Sequence, residues 1–272
     1  LIINIGKPIS VKSYKQAYAE NPAKTTTELR NKLRNSLIEL TIHIDTKDNY
    51  ACFETLFNVA TESISATNNL EKNPVKKFEL RKKIATKLVQ YEKEDEKITK
   101  NLKELCERYN QISKNLNIKF ADIRNIYSLR KNEFFILLRL ALLFPVFSLG
   151  FILNALAFYT PLLVRKIARV EYTGYFSSVN YATSIISFPL FYILQSAIIT
   201  FAAGLNFWWF LFIVPLQFFL GKIAFYGWYK PFRNVLSSFK IRNLKKKSTE
   251  NYSNLKSIID EIVKLLYPEI IF

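Results

Sequence analysis

The chain has 272 residues, with 39 Lys and Arg against 22 Asp and Glu, a formal net charge of +17, and no methionine. Six glycines are too few for glycine-rich phosphate loops, and two cysteines, Cys52 and Cys106, are too few for a disulfide framework or a four-ligand zinc site, so no metal or cofactor is expected. The absence of methionine points to a processed or truncated piece of a longer protein. The positive charge is spread as +8 over residues 1–133, +5 over 134–231 and +4 over 232–272, mixed with acids at both ends and diluted in the middle. That distribution has no basic stripe with interleaved stacking aromatics, which argues against a nucleic-acid partner and for a membrane protein with soluble flanks.

In chain order, Leu1-Ile2-Ile3-Asn4-Ile5 is a short apolar run closed by Gly6-Lys7-Pro8, and it reads as a strand leaving a sheet. Its ladder partners would have to come from an upstream part, so residues 1–20 are expected to be the end of a truncated domain. Asn21-Pro22 then supplies a cap and a first-turn proline for a helix through Leu29, Leu33, Leu37, Leu40 and Ile44. It opens a helical region over 21–133. Within it, Ile84, Leu88, Tyr91, Asp95, Ile98, Leu102, Leu105, Tyr109, Ile112 and Leu116 alternate steps of four and three, a heptad seam that only Asp95 interrupts. Two outcomes are open for residues 84–116: self-association as a dimeric coiled coil, or a long helix packed on its own domain and folded back near Asp95. The second is preferred here.

The membrane region is expected over 134–231. Leu140 to Val164 gives 25 residues without charge and Tyr172 to Gly221 gives 50 more. A hydrocarbon core about 30 Å thick needs roughly 20 helical residues, so the second run holds two spans, predicted at about 182–204 and 207–229 with a turn at Gly204-Leu205-Asn206. Trp208, Trp209, Tyr226, Trp228 and Tyr229 mark interfaces at both ends of the later span. Basic groups flank the first run on both sides: Arg130, Lys131 and Arg139 before it, Arg165, Lys166 and Arg169 after it. Lys230, Arg233, Lys240, Arg242 and Lys245 to Lys247 follow the last span. The positive-inside rule then puts every basic flank in the cytoplasm, and 134–164 becomes an in-plane or re-entrant hairpin broken at Pro145, Asn154 and Pro161. Three crossings are the alternative. Asn154, Gln195 and Gln217 are polar candidates for lipid handling or for helix packing. Residues 232–272 form a basic tail with an amphipathic helix (Tyr252, Leu255, Ile258, Ile259, Ile262, Val263, Leu266) that either lies on the membrane or packs back on the soluble region.

Several stretches carry a family resemblance. Ile3 to Ile9 resembles the closing strand of a glycerolipid acyltransferase catalytic domain. Tyr14, Tyr18 to Pro22, Leu40 to Ile44, Tyr50 and Glu54 to Leu56 resemble the segment that follows it in bacterial 1-acyl-sn-glycerol-3-phosphate acyltransferase-like proteins. Leu153 to Leu156, Pro161, Glu171 to Ser178 and Phe188 to Tyr192 resemble the hydrophobic region beyond. The resemblance implies a mainly α chain: a residual strand from a truncated α/β acyltransferase domain, a helical extension, then a multi-pass region in the inner membrane with cytoplasmic flanks. It implies membrane lipids as partners, and acyl-CoA or acyl carrier protein through the upstream domain. His43, four residues, then Asp48 has the spacing of that family's acid/base pair, in which histidine deprotonates the acceptor hydroxyl and aspartate orients the imidazole. Because the pair falls after the closing strand, it is read as coincidence, and no catalytic residue is assigned. The alternative is a non-enzymatic membrane-anchored scaffold using residues 84–116 as a coiled-coil arm.

Overall fold

A computed structural model describes residues 3–46, 48–127, 133–171 and 173–268 of the chain. Leu1, Ile2, Arg130, Lys131 and Tyr172, on which parts of the strand and orientation readings rest, lie outside these residues. Among the described residues every regular element is helical, and the predicted amino-terminal strand is not seen. Residues 3–10 have no regular structure, and Ile3 and Ile5 are exposed. A lone apolar run without a ladder partner gains nothing from extending; one tether is the Asn4 Nδ2 donating to the Leu40 carbonyl at 2.9 Å.

The chain divides into two compact units, residues 1–130 with 237–272, and residues 131–236. In the first, α1 (Lys15–Glu20) and α2 (Pro22–Leu40) pack on each other, and α2 starts as predicted, with the Asn21 side chain accepting from the Lys24 N–H and Pro22 in the first turn. The centre is α3 (Tyr50–Thr67), whose Phe53, Leu56, Val59 and Ala60 are fully buried. Around it lie α4 (Pro74–Glu94), α5 (Glu96–Asn115) and α6 (Phe120–Tyr127).

The predicted heptad helix is two helices, not one. Asp95 adopts extended backbone, ends α4 and caps α5 by accepting from the Ile98 N–H at 2.9 Å. An aspartate is a poor interior helix residue and a good N-cap, so the one polar seam position is where the chain folds back. Ile84 and Leu88 from α4 and Leu102, Leu105 and Tyr109 from α5 thereby enter one core. The seam faces its own unit instead of projecting as a coiled-coil arm.

In the second unit, α7 (Glu133–Ile167), α8 (Phe176–Ala202) and α9 (Phe207–Lys222) are long and strongly apolar. A π-helical stretch, Ile223–Tyr229, continues α9 into α10 (Lys230–Lys247). Three helices are thus long and apolar enough to cross a membrane: α7, α8 and the continuous helix Phe207–Lys247. The later two overlap the stretches predicted as spans at about 182–204 and 207–229. The hairpin at 134–164 is corrected: α7 is one uninterrupted helix of 35 residues, about 52 Å at 1.5 Å per residue. Pro161 leaves the Ala157 carbonyl without its helical donor, and the Ser187 hydroxyl of α8 donates to that carbonyl at 3.1 Å. Asn154, expected to break the chain, instead donates to the Gly150 carbonyl of its own helix at 2.8 Å.

The tail helix α11 (Thr249–Leu266) resolves the choice left open for it. Leu255, Ile258, Ile259, Ile262, Val263 and Leu266 are buried against α3, α4 and α5 in the first unit. The Tyr91 hydroxyl donates to the Leu265 carbonyl at 3.1 Å and the Tyr127 hydroxyl donates to Asp260.

Candidate functional site

His43 and Asp48 are not brought together as an acid/base pair. The imidazole lies 3.7 Å from Asp45, which also faces Arg34 at 4.0 Å, and all three side chains are well exposed. A general base needs a shielded substrate site within hydrogen-bond reach, and this ion cluster lies open to water.

An open, mostly apolar cleft of about 500 Å³ lies between Val11, Tyr14 and Tyr18 on one side and Thr25 and Leu29 of α2 on the other, with Lys12 and Lys15 also lining it. It contains no nucleophile paired with a base. Buried polar side chains lie elsewhere, and two clusters of them stand out among the described residues.

The first cluster is centred on Asp122 of α6, which is nearly buried. Its Oδ1 accepts from the Ser237 hydroxyl at 2.5 Å, and its Oδ2 accepts from the Lys119 N–H at 2.9 Å and from Lys240 Nζ at 3.1 Å. Asn125 Nδ2 donates to Ser237 at 2.7 Å. Burial alone would raise the carboxyl, but the hydrogen bonds and the Lys240 charge outweigh it and hold Asp122 below the usual carboxylate range. Held low by these contacts, Asp122 is a weak base towards the Ser237 hydroxyl, and the arrangement ties α6 to the 237–240 segment.

The second cluster lies among the apolar helices. Asn154 Nδ2 donates to the Gln217 carbonyl at 3.2 Å, and its Oδ1 accepts from the Tyr192 hydroxyl at 2.5 Å. Gln217 Nε2 donates to the Ser196 hydroxyl at 3.0 Å. Two glycines let the backbones approach this closely. A Cβ at Gly150 would meet the Leu220 carbonyl oxygen at 2.6 Å, and one at Gly221 would meet Asn154 Oδ1 at the same distance. Of the three predicted polar candidates, Asn154 and Gln217 meet; Gln195 does not join them, and its Oε1 is buried without a hydrogen-bond partner.

Sequence reasoning missed Tyr192, Ser196 and Ser187. A partial signal was there: Asn180, Ser184 and Ser187 step by four and three and form one row on α8, and Tyr192, Ser196 and Thr200 step by four and four and form a second row, turned from the first by the five-residue step between Ser187 and Tyr192. All six are at least partly buried, while Ile185, Ile186, Leu190, Ile193 and Ile198 face outward. Small residues at close approaches and amides shared between helices are how apolar helices associate in lipid, where oil-like side chains give no preference for one another. Comparison with protein-family models, with curated proteins and with solved structures finds no match to this chain.

Proposed function

We propose that the chain is the carboxy-terminal, membrane-anchoring part of a glycerolipid acyltransferase. The complete enzyme would move an acyl group from acyl-CoA or acyl carrier protein to a lysophospholipid or glycerol phosphate hydroxyl. The observation that carries the anchoring role is the unit of three long apolar helices whose polar groups turn inward and whose large apolar side chains face outward. The acyltransferase assignment is supported by the sequence resemblance on either side of α2 and along α7 and α8. The basic groups of α10, Lys230, Arg233, Lys240, Arg242 and Lys245 to Lys247, favour the cytoplasmic face of the inner membrane for that end of the helix. In this reading the anchor keeps acyl transfer at the leaflet into which a two-tailed product is released.

The test is acyl transfer to lysophosphatidic acid, with acyl-CoA and with acyl carrier protein as donors, by membranes carrying the complete product of the reading frame. Transfer by that product and none by residues 1–272 alone is the expected result. A complete product that transfers no acyl group to any glycerolipid acceptor would overturn the assignment.

A second reading, a membrane-anchored scaffold without catalysis, has one observation in its favour. Leu33 and Leu37 on the apolar face of α2 remain about half exposed, so α2 presents a surface to a partner. Residues 84–116 are an unsuitable arm for it, because their seam is occupied by their own core.

A further inference from the structure

Three helices are long enough to cross, yet the contacts of the second unit leave room for only two crossings. Leu140 of α7 accepts from Trp228 Nε1 at 2.8 Å, Gly150 abuts Leu220, and Asn154 meets Gln217. As numbers rise along α7 they fall along the partner, so α7 and the α9 to π-helical segment run antiparallel. From Asn154 to the end of α7 at Ile167 is about 20 Å of helix, and from Gln217 back to the start of α9 at Phe207 about 15 Å, at 1.5 Å per residue. The end of α7 and the start of α9 therefore lie at nearly the same level, the far face. Phe207, Trp208 and Trp209 mark that level with exposed aromatic rings suited to an interface.

Helix α8 has to join these two points. Its last residue, Ala202, is linked to Phe207 by residues 203–206, and five extended steps reach about 17 Å at most. A hydrocarbon core about 30 Å thick cannot be traversed and regained within that reach. Meanwhile Tyr192 meets Asn154 and Ser196 meets Gln217, so the second half of α8 reaches the depth of the buried cluster.

We infer that α7 and the α9 to π-helical segment are the two crossings, and that α8 is a re-entrant helix. It enters from the far face, dips to the level of Asn154 and Gln217, and returns to that face through the 203–206 turn. Its outward row of Ile185, Ile186, Leu190, Ile193, Leu194 and Ile198 is then an interface with the acyl chains of the far leaflet. Its buried polar side chains keep hydroxyls and amides off those chains, as a helix end inside lipid requires. The Schellman-like end helps, since the Leu205 and Gly204 N–H groups donate back to the Thr200 and Phe201 carbonyls and Gly204 takes a positive φ of 62°. Independently, residues 1–130 and 237–272 belong to one compact unit, which an odd number of crossings between them would forbid.

The inference rests on the chain being membrane-embedded but not on its being an acyltransferase, so carbonate extraction tests the first and acyl transfer the second separately. The direct experiment uses full chains in vesicles of both orientations and a membrane-impermeant maleimide, read above the background of Cys52 and Cys106. Three variants are compared: Ser177→Cys at the start of α8, Leu205→Cys in the turn after it, and Lys247→Cys at the end of α10. Labelling of Ser177→Cys and Leu205→Cys in the same vesicle orientation, with Lys247→Cys labelled only in the other, is expected. Labelling of the first two in opposite orientations would make α8 a true crossing and overturn the inference. Labelling of all three in one orientation would equally overturn it, by removing the crossing between Leu205 and Lys247. Tyr175→Cys and Asn206→Cys provide a second pair should either variant fail to insert.

Discussion

The two units are built on opposite rules. In the first, Phe53, Leu56, Leu102 and Ile259 are fully buried and Asp122 is the one aspartate or glutamate buried with them among the described residues. In the second, Gln217 and Ser196 are fully buried while Phe201, Phe212 and Trp208 are mostly exposed. Water drives the first arrangement, because burying a large apolar side chain there is worth about 1.5–3 kcal/mol. In lipid that gain is absent, and what remains is close packing together with the cost of leaving polar groups unpaired.

The sharpest break of this contrast is a truncation made in both units. Phe53→Ala in the first should cost about 3–5 kcal/mol through lost burial and a cavity, read as a lowered midpoint of urea unfolding in detergent. Phe212→Ala on the outward face of α9 should leave the same midpoint almost unmoved. Next in size is Asp122→Ala, which leaves the Ser237 hydroxyl without its acceptor and Lys240 without its counter-charge, and should cost about 1–3 kcal/mol by the same measurement. Its pH signature follows from the depressed carboxyl: the stabilising contribution is complete above the ordinary carboxylate range, and it is lost as pH falls through that range towards the folded value. Asp122→Asn should remove that component of acid sensitivity.

In the second unit, Gly150→Leu forces side-chain atoms against the Leu220 carbonyl and should cost about 1–3 kcal/mol as an overpacked site. A cysteine crosslink between α7 and α9 would then form more slowly. Asn154→Leu removes shared hydrogen bonds from the buried cluster and should cost only about 0.6–2 kcal/mol in the same crosslinking assay. Smallest of all, Leu37→Ser on the exposed face of α2 should change unfolding by no more than about 0.5 kcal/mol. A loss of several kcal/mol there would mean that this face is covered in solution.

Much of the fold was legible because periodicity and solvent act locally. The Asn21-Pro22 start, the apolar face of α11 and the runs at 182–204 and 207–229 each follow from residues within one element. What was not legible depended on neighbours. The strand at Ile3 to Ile5 needed a ladder that the described residues do not supply. Pro145, Asn154 and Pro161 looked like breaks, but Ser187 of α8 serves the carbonyl that Pro161 frees, and Asn154 is held by the Gly150 carbonyl of its own helix as well as by α9. The polar cluster was half visible: amides in an apolar run stand out, but serine and tyrosine hydroxyls do so only once their two rows on α8 are seen.

The hydroxyl of Ser187 sets an order of events during synthesis. Residue 187 leaves the ribosome after all of α7, so the Ala157 carbonyl freed by Pro161 has no side-chain donor from α8 until that helix arrives. The last turns of α7 therefore mature only as a pair with α8, and a nascent chain arrested before residue 187 should hold that end of α7 in a looser, more proton-exchangeable state than the finished protein.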